Sequence, residues 1–390
     1  MIMRHTERLD ALLNGRRCTL LGVGPMSKNC VDAAIELAND LNTLIILIAT
    51  RRQIESAEAG GGYVNNWTTE TFAKYVRERD LRGNVMLARD HGGPWQSYLE
   101  VEKQMNLKDA MESSKRSYLA DIQAGFDMIH IDPSIDIYKK PSFEEVLERL
   151  FELYVFCVEK ARASGRDIFF EFGTDEQSEG LHDSEELEAL TEEIINFCEK
   201  NRLPKPYFVV AQTGTKVKET TNVGILAKPE ESNRAKAHLK KLVEICNRYG
   251  VRLKEHNADY LSDEVLRWHP ELGIHAINVA PEFGVVETRH ILKLCKDLNL
   301  DEEHGQFLSL AHKSNKWDKW LLPDTKTTDY DRAVIAGHYV FSTPEFREIK
   351  ARIAAACRAR GFDLDASIKQ ALKSAILRYS RNLNLHDESR

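Results

Sequence analysis

The sequence has no long hydrophobic run. Its longest apolar stretch, residues 44–49, falls far short of the roughly 20 residues a helix needs to cross a bilayer, so no membrane partner is expected. It has no excess of positive charge either. The chain carries 54 Lys and Arg against 61 Asp and Glu, a formal net charge of −7, which gives no general attraction to nucleic acid or anionic lipid. Paired cysteines are missing. The seven cysteines, Cys18, Cys30, Cys157, Cys198, Cys246, Cys295 and Cys357, are scattered and form no CxxC. That pattern argues for reduced thiols in a cytoplasmic setting and against a zinc ribbon. Residues 1–12 are charged and lack the apolar core of a signal peptide. The turn Gly22-Val23-Gly24-Pro25-Met26-Ser27 lacks GxGxxG spacing, and no P-loop occurs anywhere, so neither nucleotide-cradling motif is available. There is no low-complexity segment.

What is present is a strand–helix rhythm. Hydrophobic residues make up 42% of the 390 and charged residues 29%, a globular, enzyme-sized composition. Eight short β-rich runs are read at 18–23, 44–50, 84–90, 128–132, 168–172, 207–212, 251–255 and 274–279. Most are continuously apolar, as parallel strands buried on both faces are. Amphipathic stretches separate them at 29–39, 69–78, 114–124, 142–164, 184–201, 232–249 and 286–297, with Ser142, Ser184 and Ser232 as expected capping residues. Eight such units predict a (β/α)₈ TIM barrel over 1–299. After Asn299 a polar stretch with Trp317, Trp320 and Pro323 leads to expected helices at 344–360 and 366–382. Residues 300–390 therefore read as a C-terminal helical extension packed on the barrel.

A charged residue in a barrel strand is costly unless it is paired or functional, and in barrels the C-terminal strand ends build the active site. The third strand ends in Arg89-Asp90-His91-Gly92-Gly93, the fourth reads His130-Ile131-Asp132-Pro133-Ser134, and the fifth ends in Glu171-Phe172-Gly173. The sixth ends in Gln212-Thr213-Gly214-Thr215, the seventh in Glu255-His256-Asn257, and the eighth holds Asn278. Singly each has an ordinary reading: a structural histidine, a turn aspartate before Pro133, an ion-paired glutamate. Together they converge on one mouth. Imidazoles with a carboxylate suit a divalent metal, zinc first, with manganese or cobalt as alternatives. His91, His256 and Glu171 are the expected ligands, with Gln212 as a weaker fourth. Asp90 is the expected proton carrier, with Asp132 as a second catalytic candidate. Asn257, Gly214, Thr215, Asn278 and Arg51 are candidate substrate contacts. Arg51-Arg52 would meet a phosphate, or form a solvated charged pair. The Gly60-Gly61-Gly62 run reads as a flexible loop or a lid.

These residues resemble a known family. Asp90-His91-Gly92 after an apolar strand looks like the catalytic aspartate and first zinc histidine of class II fructose- and tagatose-bisphosphate aldolases. The closer resemblance is to the tagatose-bisphosphate aldolase non-catalytic-subunit family, once assigned as tagatose-6-phosphate kinases. It is carried by Asp90-His91-Gly92-Gly93-Pro94-Trp95-Gln96, Gly125-Phe126-Asp127-Met128-Ile129-His130-Ile131-Asp132, Glu255-His256-Asn257-Ala258-Asp259-Tyr260, His338-Tyr339-Val340-Phe341-Ser342 and Gly61-Gly62-Tyr63. The resemblance implies a barrel, a sugar-phosphate context, and self-association or a partner aldolase subunit. Class II aldolases carry a metal histidine after strand six. Here Ala211-Gln212-Thr213-Gly214-Thr215-Lys216 has none, so either Glu171 or Gln212 substitutes or the metal is absent. Conversely, Ile277-Asn278-Val279 looks like the substrate-binding asparagine of catalytic class II enzymes. Two readings follow: an aldolase or retro-aldol C4-epimerase of a ketose or ketose phosphate, and a non-catalytic stabilising subunit. Kinase activity is disfavoured by the missing P-loop.

Overall fold

The computed structural model describes residues 5–173 and 184–386. Residues 1–4 of the charged opening stretch lie outside them. Eight parallel strands close into a barrel: β1 (Leu20–Val23), β2 (Ile45–Thr50), β3 (Val85–Gly92), β4 (Met128–Ile131), β5 (Phe169–Gly173), β6 (Phe208–Ala211), β7 (Arg252–Glu255) and β8 (Ala276–Val279). They follow one another around the ring, and β1 closes it against β8 with Leu20 opposite Ala276. Nearly every strand residue is buried, which is why the strands read as apolar runs without alternation. A two-stranded hairpin, Val217–Lys218 with Thr221–Asn222, stands apart from the ring after β6.

The register of β3 positions the site. Ala88 and Arg89 pair with Met128 and Ile129, but Ile131 pairs with Gly92, so β3 carries one extra residue there. Such a bulge re-aims side chains that strict alternation would send to opposite faces. Within it His91 takes a left-handed conformation, φ 46°, a strained geometry for a residue with a Cβ and of the sort that clusters at functional positions. Gly93 (φ 143°) follows; a Cβ there would stand 2.0 Å from the Asp132 carbonyl oxygen, so the close approach of the loops after β3 and β4 requires glycine.

Helices surround the ring. Ser142 caps Phe143–Ala163 with a reciprocal capping box through Glu145. Ser232 does not cap: its hydroxyl donates to the Pro229 carbonyl, and the helix Ser232–Tyr249 continues directly from a preceding 3₁₀ turn. Ser184 is itself the first helical residue. Besides the short Tyr98–Glu102, four helices escaped the sequence pattern: His5–Gly15, Asp263–Leu272, Asp301–Lys313 and Asp329–Ala336. The helix Asp263–Leu272 contains Pro270, which has no N–H for the Leu266 carbonyl. His269 Nδ1 supplies the missing donor, lying 3.2 Å from that oxygen. His5–Gly15 reaches the N-terminal strand ends, where Asp10 meets Arg252 at 3.2 Å and His5 meets Asp127 at 2.8 Å. The last helix, Leu364–Asn382, lies against Lys28–Leu41 and Pro281–Asp297. Asn29 donates to Asp365 (3.0 Å) and Tyr379 to Glu282 (2.5 Å), and Ile368, Leu372 and Ile376 join the common core.

Candidate active site at the barrel mouth

Three imidazoles meet at the C-terminal ends of β3, β4 and β7. One nitrogen from each of His91, His130 and His256 lies within 4.8 Å of the other two. His256 Nδ1 is 3.0 Å from His91 Nε2, and the His91 amide N–H donates to His130 Nδ1 at 3.4 Å. His91 Nδ1 lies 2.9 Å from Asp132 Oδ2. A carboxylate only accepts, so this contact puts the His91 proton on Nδ1 and leaves Nε2 as a lone pair facing the other two rings. Asp132 is fully buried and also accepts from Gln96 Nε2 (3.0 Å), the Ser134 amide (3.0 Å) and the Ser134 hydroxyl. Its four acceptor interactions fix it as the group that orients His91.

Asp90 stands beside the cluster. Its Oδ1 accepts from Asn278 Nδ2 at 3.0 Å and lies 3.5 Å from His256 Nε2. Asn278 Oδ1 is buried with no partner. Thr215 donates to the His256 carbonyl at 2.7 Å, which fixes the loop after β7. The Gly214 carbonyl accepts from Leu226 N at 3.1 Å, and Asn257 (φ 58°) lines the mouth. Gln212 is buried just beyond β6, beside the end of β7.

Two expected residues take other partners. Glu171 holds Lys254 with both oxygens, at 2.8 and 2.9 Å, inside the barrel beneath the imidazoles. Burial pushes the Glu171 carboxyl up, and Lys254 opposes that shift. The third imidazole of the cluster is instead His130, which the sequence reading quoted only as part of a motif. Its signal was its spacing: His130 sits two residues after Met128, so both face inward, and it pairs in register with Glu171. Arg51 turns away from the mouth. It is 2% exposed and locked to Glu55 (2.6 Å), Glu100 (2.7 Å) and the Gly93 carbonyl (2.8 Å). Arg89 likewise points outward, to Asp121 at 2.6 Å. Both follow from alternation: the neighbours Thr50 and Asp90 face the cleft.

The cleft above the cluster encloses about 170 Å³ and is lined by Asp90, His91, Gln96, Arg52, Tyr63 and Trp320 among others. Tyr63, which follows the triple-glycine run, forms part of one wall. A Cβ on Gly62 would stand 2.0 Å from the Gln53 carbonyl, so the run is tightly packed where it reaches Tyr63. Behind that wall His338 is 2% exposed, with neither ring nitrogen partnered. Burial, with Lys319 nearby, lowers it to about 3. On the far side of β7, Glu255 accepts from His269 Nε2 at 2.7 Å and from Thr213. Burial works against charge on His269, and Glu255 more than offsets it, raising the imidazole above its ordinary value. No helix among the described residues is long and apolar enough to cross a membrane.

Comparison with curated protein sequences finds no match. Among solved structures, a probable tagatose 6 phosphate kinase from Sinorhizobium meliloti 1021 superposes with a TM-score of 0.75 at 16% identity, covering 93% of this chain and 100% of that one. The fructuronate-tagaturonate epimerase UxaE from Cohnella laeviribosi gives 0.60 at 13%, covering 94% and 81%. Fructose-bisphosphate aldolase from Campylobacter jejuni gives 0.56 at 11%, covering 98% and 94%. At such identities these likenesses concern the fold. The sequence model of the D-tagatose-1,6-bisphosphate aldolase subunit GatZ/KbaZ-like family matches residues 7–191. The family resemblance read from the sequence is thereby met: over residues 7–191 the chain is GatZ/KbaZ-like, on the closed barrel that it shares with aldolases and an epimerase.

Proposed function

We propose that the chain is an enzyme of aldol and retro-aldol chemistry on a ketose or ketose phosphate, with one divalent ion, zinc before manganese or cobalt, held by His91, His130 and His256. The convergence of three imidazoles with Asp90 at one barrel mouth carries this reading. The donor set fits the ion. Nitrogens bound at about 2.1 Å in a tetrahedron lie roughly 3.4 Å apart, and His91 Nε2 and His256 Nδ1, 3.0 Å apart, need only open slightly to take one. Asp132 supplies the outer carboxylate that metal-bound histidines commonly have. When bound, such an ion supplies Lewis-acid polarisation of a substrate carbonyl.

The remaining work falls to side chains. Asp90, held through Oδ1 by Asn278, takes the proton from the C4 hydroxyl as the C3–C4 bond breaks and returns it when the bond re-forms. The C3–C4 electron pair passes into an enediolate; rotation of the aldehyde fragment before re-addition inverts C4, while its departure, with the proton delivered to C3, gives cleavage. Asn278, the expected substrate contact, acts here through Asp90, since its own Oδ1 is buried against Gly22. Thr215 and Gly214 shape the loop beside His256, and Asn257 lines the opening.

The matching family is one of aldolase subunits, so the alternative reading is a stabilising partner of a separate aldolase chain. One experiment separates them. The purified chain, loaded with zinc, manganese or cobalt in turn, is screened against ketoses and ketose phosphates for cleavage and for C4 inversion. Turnover that disappears on chelation and in His130→Ala supports the enzyme. A chain that converts nothing, yet raises the activity of a co-expressed class II aldolase, is a subunit.

A further inference from the structure

The chain pairs its deeply buried cations. Arg51, Arg89, Lys254 and Arg149 each hold a carboxylate within 2.8 Å. Arg52, half-buried beside them, has no such carboxylate. Among the described residues its guanidinium has no ion-pair or hydrogen-bond partner, its Nε is buried, and it lies 5.3 Å from the Tyr98 ring centroid. Lys316, which forms no ion pair among the described residues, places Nζ 4.7 Å from the same ring. Lys319 Nζ is 4.7 Å from Trp320 and 5.9 Å from Tyr339. Arg52, Tyr98, Lys319 and Trp320 line the same cleft as His91 and Asp90. Asp90 is the one carboxylate among the described lining residues.

This rim is built. The Arg52 carbonyl accepts from Tyr63 N at 3.2 Å. The carbonyls of Lys319 and Trp320 accept from Lys218 Nζ (3.0 Å) and Glu219 N (2.8 Å), both from the hairpin region after β6. Trp320 Nε1 donates to Tyr339 at 3.1 Å. Asn65 N donates to Ser342 Oγ at 2.7 Å, joining the triple-glycine loop to the C-terminal segment. A guanidinium partly removed from water without a counter-charge is costly, and its planar donors match a carboxylate or a phosphate.

We infer that Arg52, Lys316 and Lys319 form the anion-binding end of the cleft. The ligand is then a carbohydrate bearing a phosphate or carboxylate that meets these cations while its other carbons face Asp90 and the histidines. The inference rests on the proposed function only in taking that carbohydrate to be a ketose, and its test is a binding measurement that requires no turnover.

The metal-free chain is titrated calorimetrically with D-fructose, D-fructose 6-phosphate, D-fructuronate and inorganic phosphate. At least one anionic ketose should bind roughly tenfold or more tightly than D-fructose, as a charge-assisted contact allows. The preference should shrink with salt. Tighter binding of the phosphate ester identifies a phosphate site, and tighter binding of fructuronate a carboxylate site. Arg52→Gln with Lys319→Gln should erase the preference at an unchanged melting temperature, and Lys316→Gln, further out, should reduce it. If no ketose binds but inorganic phosphate does, and Arg52→Gln abolishes that binding, the rim stands and the ketose reading fails. The inference is overturned if neither phosphate nor an anionic ketose is preferred over D-fructose. It is equally overturned if the Arg52 and Lys319 double variant keeps the preference.

Discussion

Replacing Lys254 by Met should destabilise the barrel severely, and removing Glu171 as well should restore it. Lys254 Nζ lies 2.8 and 2.9 Å from the two oxygens of Glu171, and both side chains are at most 1% exposed. Methionine keeps most of the lysine stem, so the packing changes little and the charge is lost. Breaking a buried pair from one side costs about 3–5 kcal/mol, because the remaining charge has no partner. The loss should depend on pH. Burial already raises the Glu171 carboxyl and Lys254 opposes that; without the ammonium the carboxyl rises further. An acid with a raised folded-state pKa keeps its proton while the unfolded chain ionises near 4.3, so stability falls as pH increases from there to the folded value. The Lys254→Met deficit should therefore be larger at pH 8 than at pH 5. In Lys254→Met with Glu171→Leu both charges are gone, and such replacements are often neutral or stabilising. Urea denaturation of the parent, Lys254→Met, Glu171→Leu and the double variant at both pH values gives the coupling directly. A Lys254→Met loss below about 1 kcal/mol at pH 8, or a double variant no more stable than the single one, would refute the reasoning. The double variant also reports on the metal. Retained stoichiometry means that Glu171 supports the site from below, whereas lost stoichiometry would return Glu171 to the ligand set.

Three further outcomes are expected. His91→Ala, His130→Ala and His256→Ala should each lower bound metal per chain while leaving the circular dichroism spectrum unchanged, since a three-ligand site cannot spare one; full occupancy in His130→Ala would remove it from the set. Asp90→Asn should reduce turnover on the order of a hundredfold with metal retained, and turnover at the parental rate on an accepted substrate would make Asp90 structural. His338, lowered to about 3 by burial and by Lys319, stays neutral in the fold while the unfolded imidazole takes up a proton near 6.5. Its contribution is therefore present above pH 6.5 and lost as pH falls, by about 2–3 kcal/mol at pH 4.5. His338→Gln should show a correspondingly flatter acid limb in stability against pH, and an identical limb would show that His338 is protonated in the fold.

The barrel was legible because its strands are buried on both faces and so appear as apolar runs of matching length. The helix Asp263–Leu272 was hidden by Pro270, whose missing donor is replaced by His269, a side-chain substitution that no periodicity displays. Asp301–Lys313 was hidden by polarity, since only Glu303, Phe307 and Ala311 of its residues are buried. At the site, residue type and strand end were enough to bring His91, His256, Asp90, Asp132 and Asn278 into one neighbourhood. They were not enough to assign partners. Arg51 and Arg52 are adjacent and chemically alike, and only the alternation at the end of β2 separates them, one to Glu55 and Glu100, the other to the cleft. Glu171 was assigned to an ion because its lysine lies 83 residues away along the chain.

The same residues explain how a site lacking a histidine after β6 can still present three imidazoles. The extra residue in β3 turns His91 into the mouth with Asp90 still facing it, and the left-handed backbone at His91 is the local strain of that arrangement. His91 then lies over β4 rather than along its own strand: its amide donates to His130 Nδ1 and its ring to Asp132. Both partners come from the run His130-Ile131-Asp132, two residues apart and so on the same face of the chain. One bulge therefore couples β3 to β4 through a histidine and the carboxylate that orients its neighbour. β7 supplies the third ring from a loop tied to Thr215. After β6, Thr213 donates to Glu255 and Thr215 to the His256 carbonyl, so this segment holds the end of β7 in place. Thr215→Val should accordingly loosen His256 and weaken metal affinity without changing the number of ions bound at saturation. That combination separates a positioning residue from a ligand; a fall in saturating stoichiometry would place the region after β6 within the coordination set.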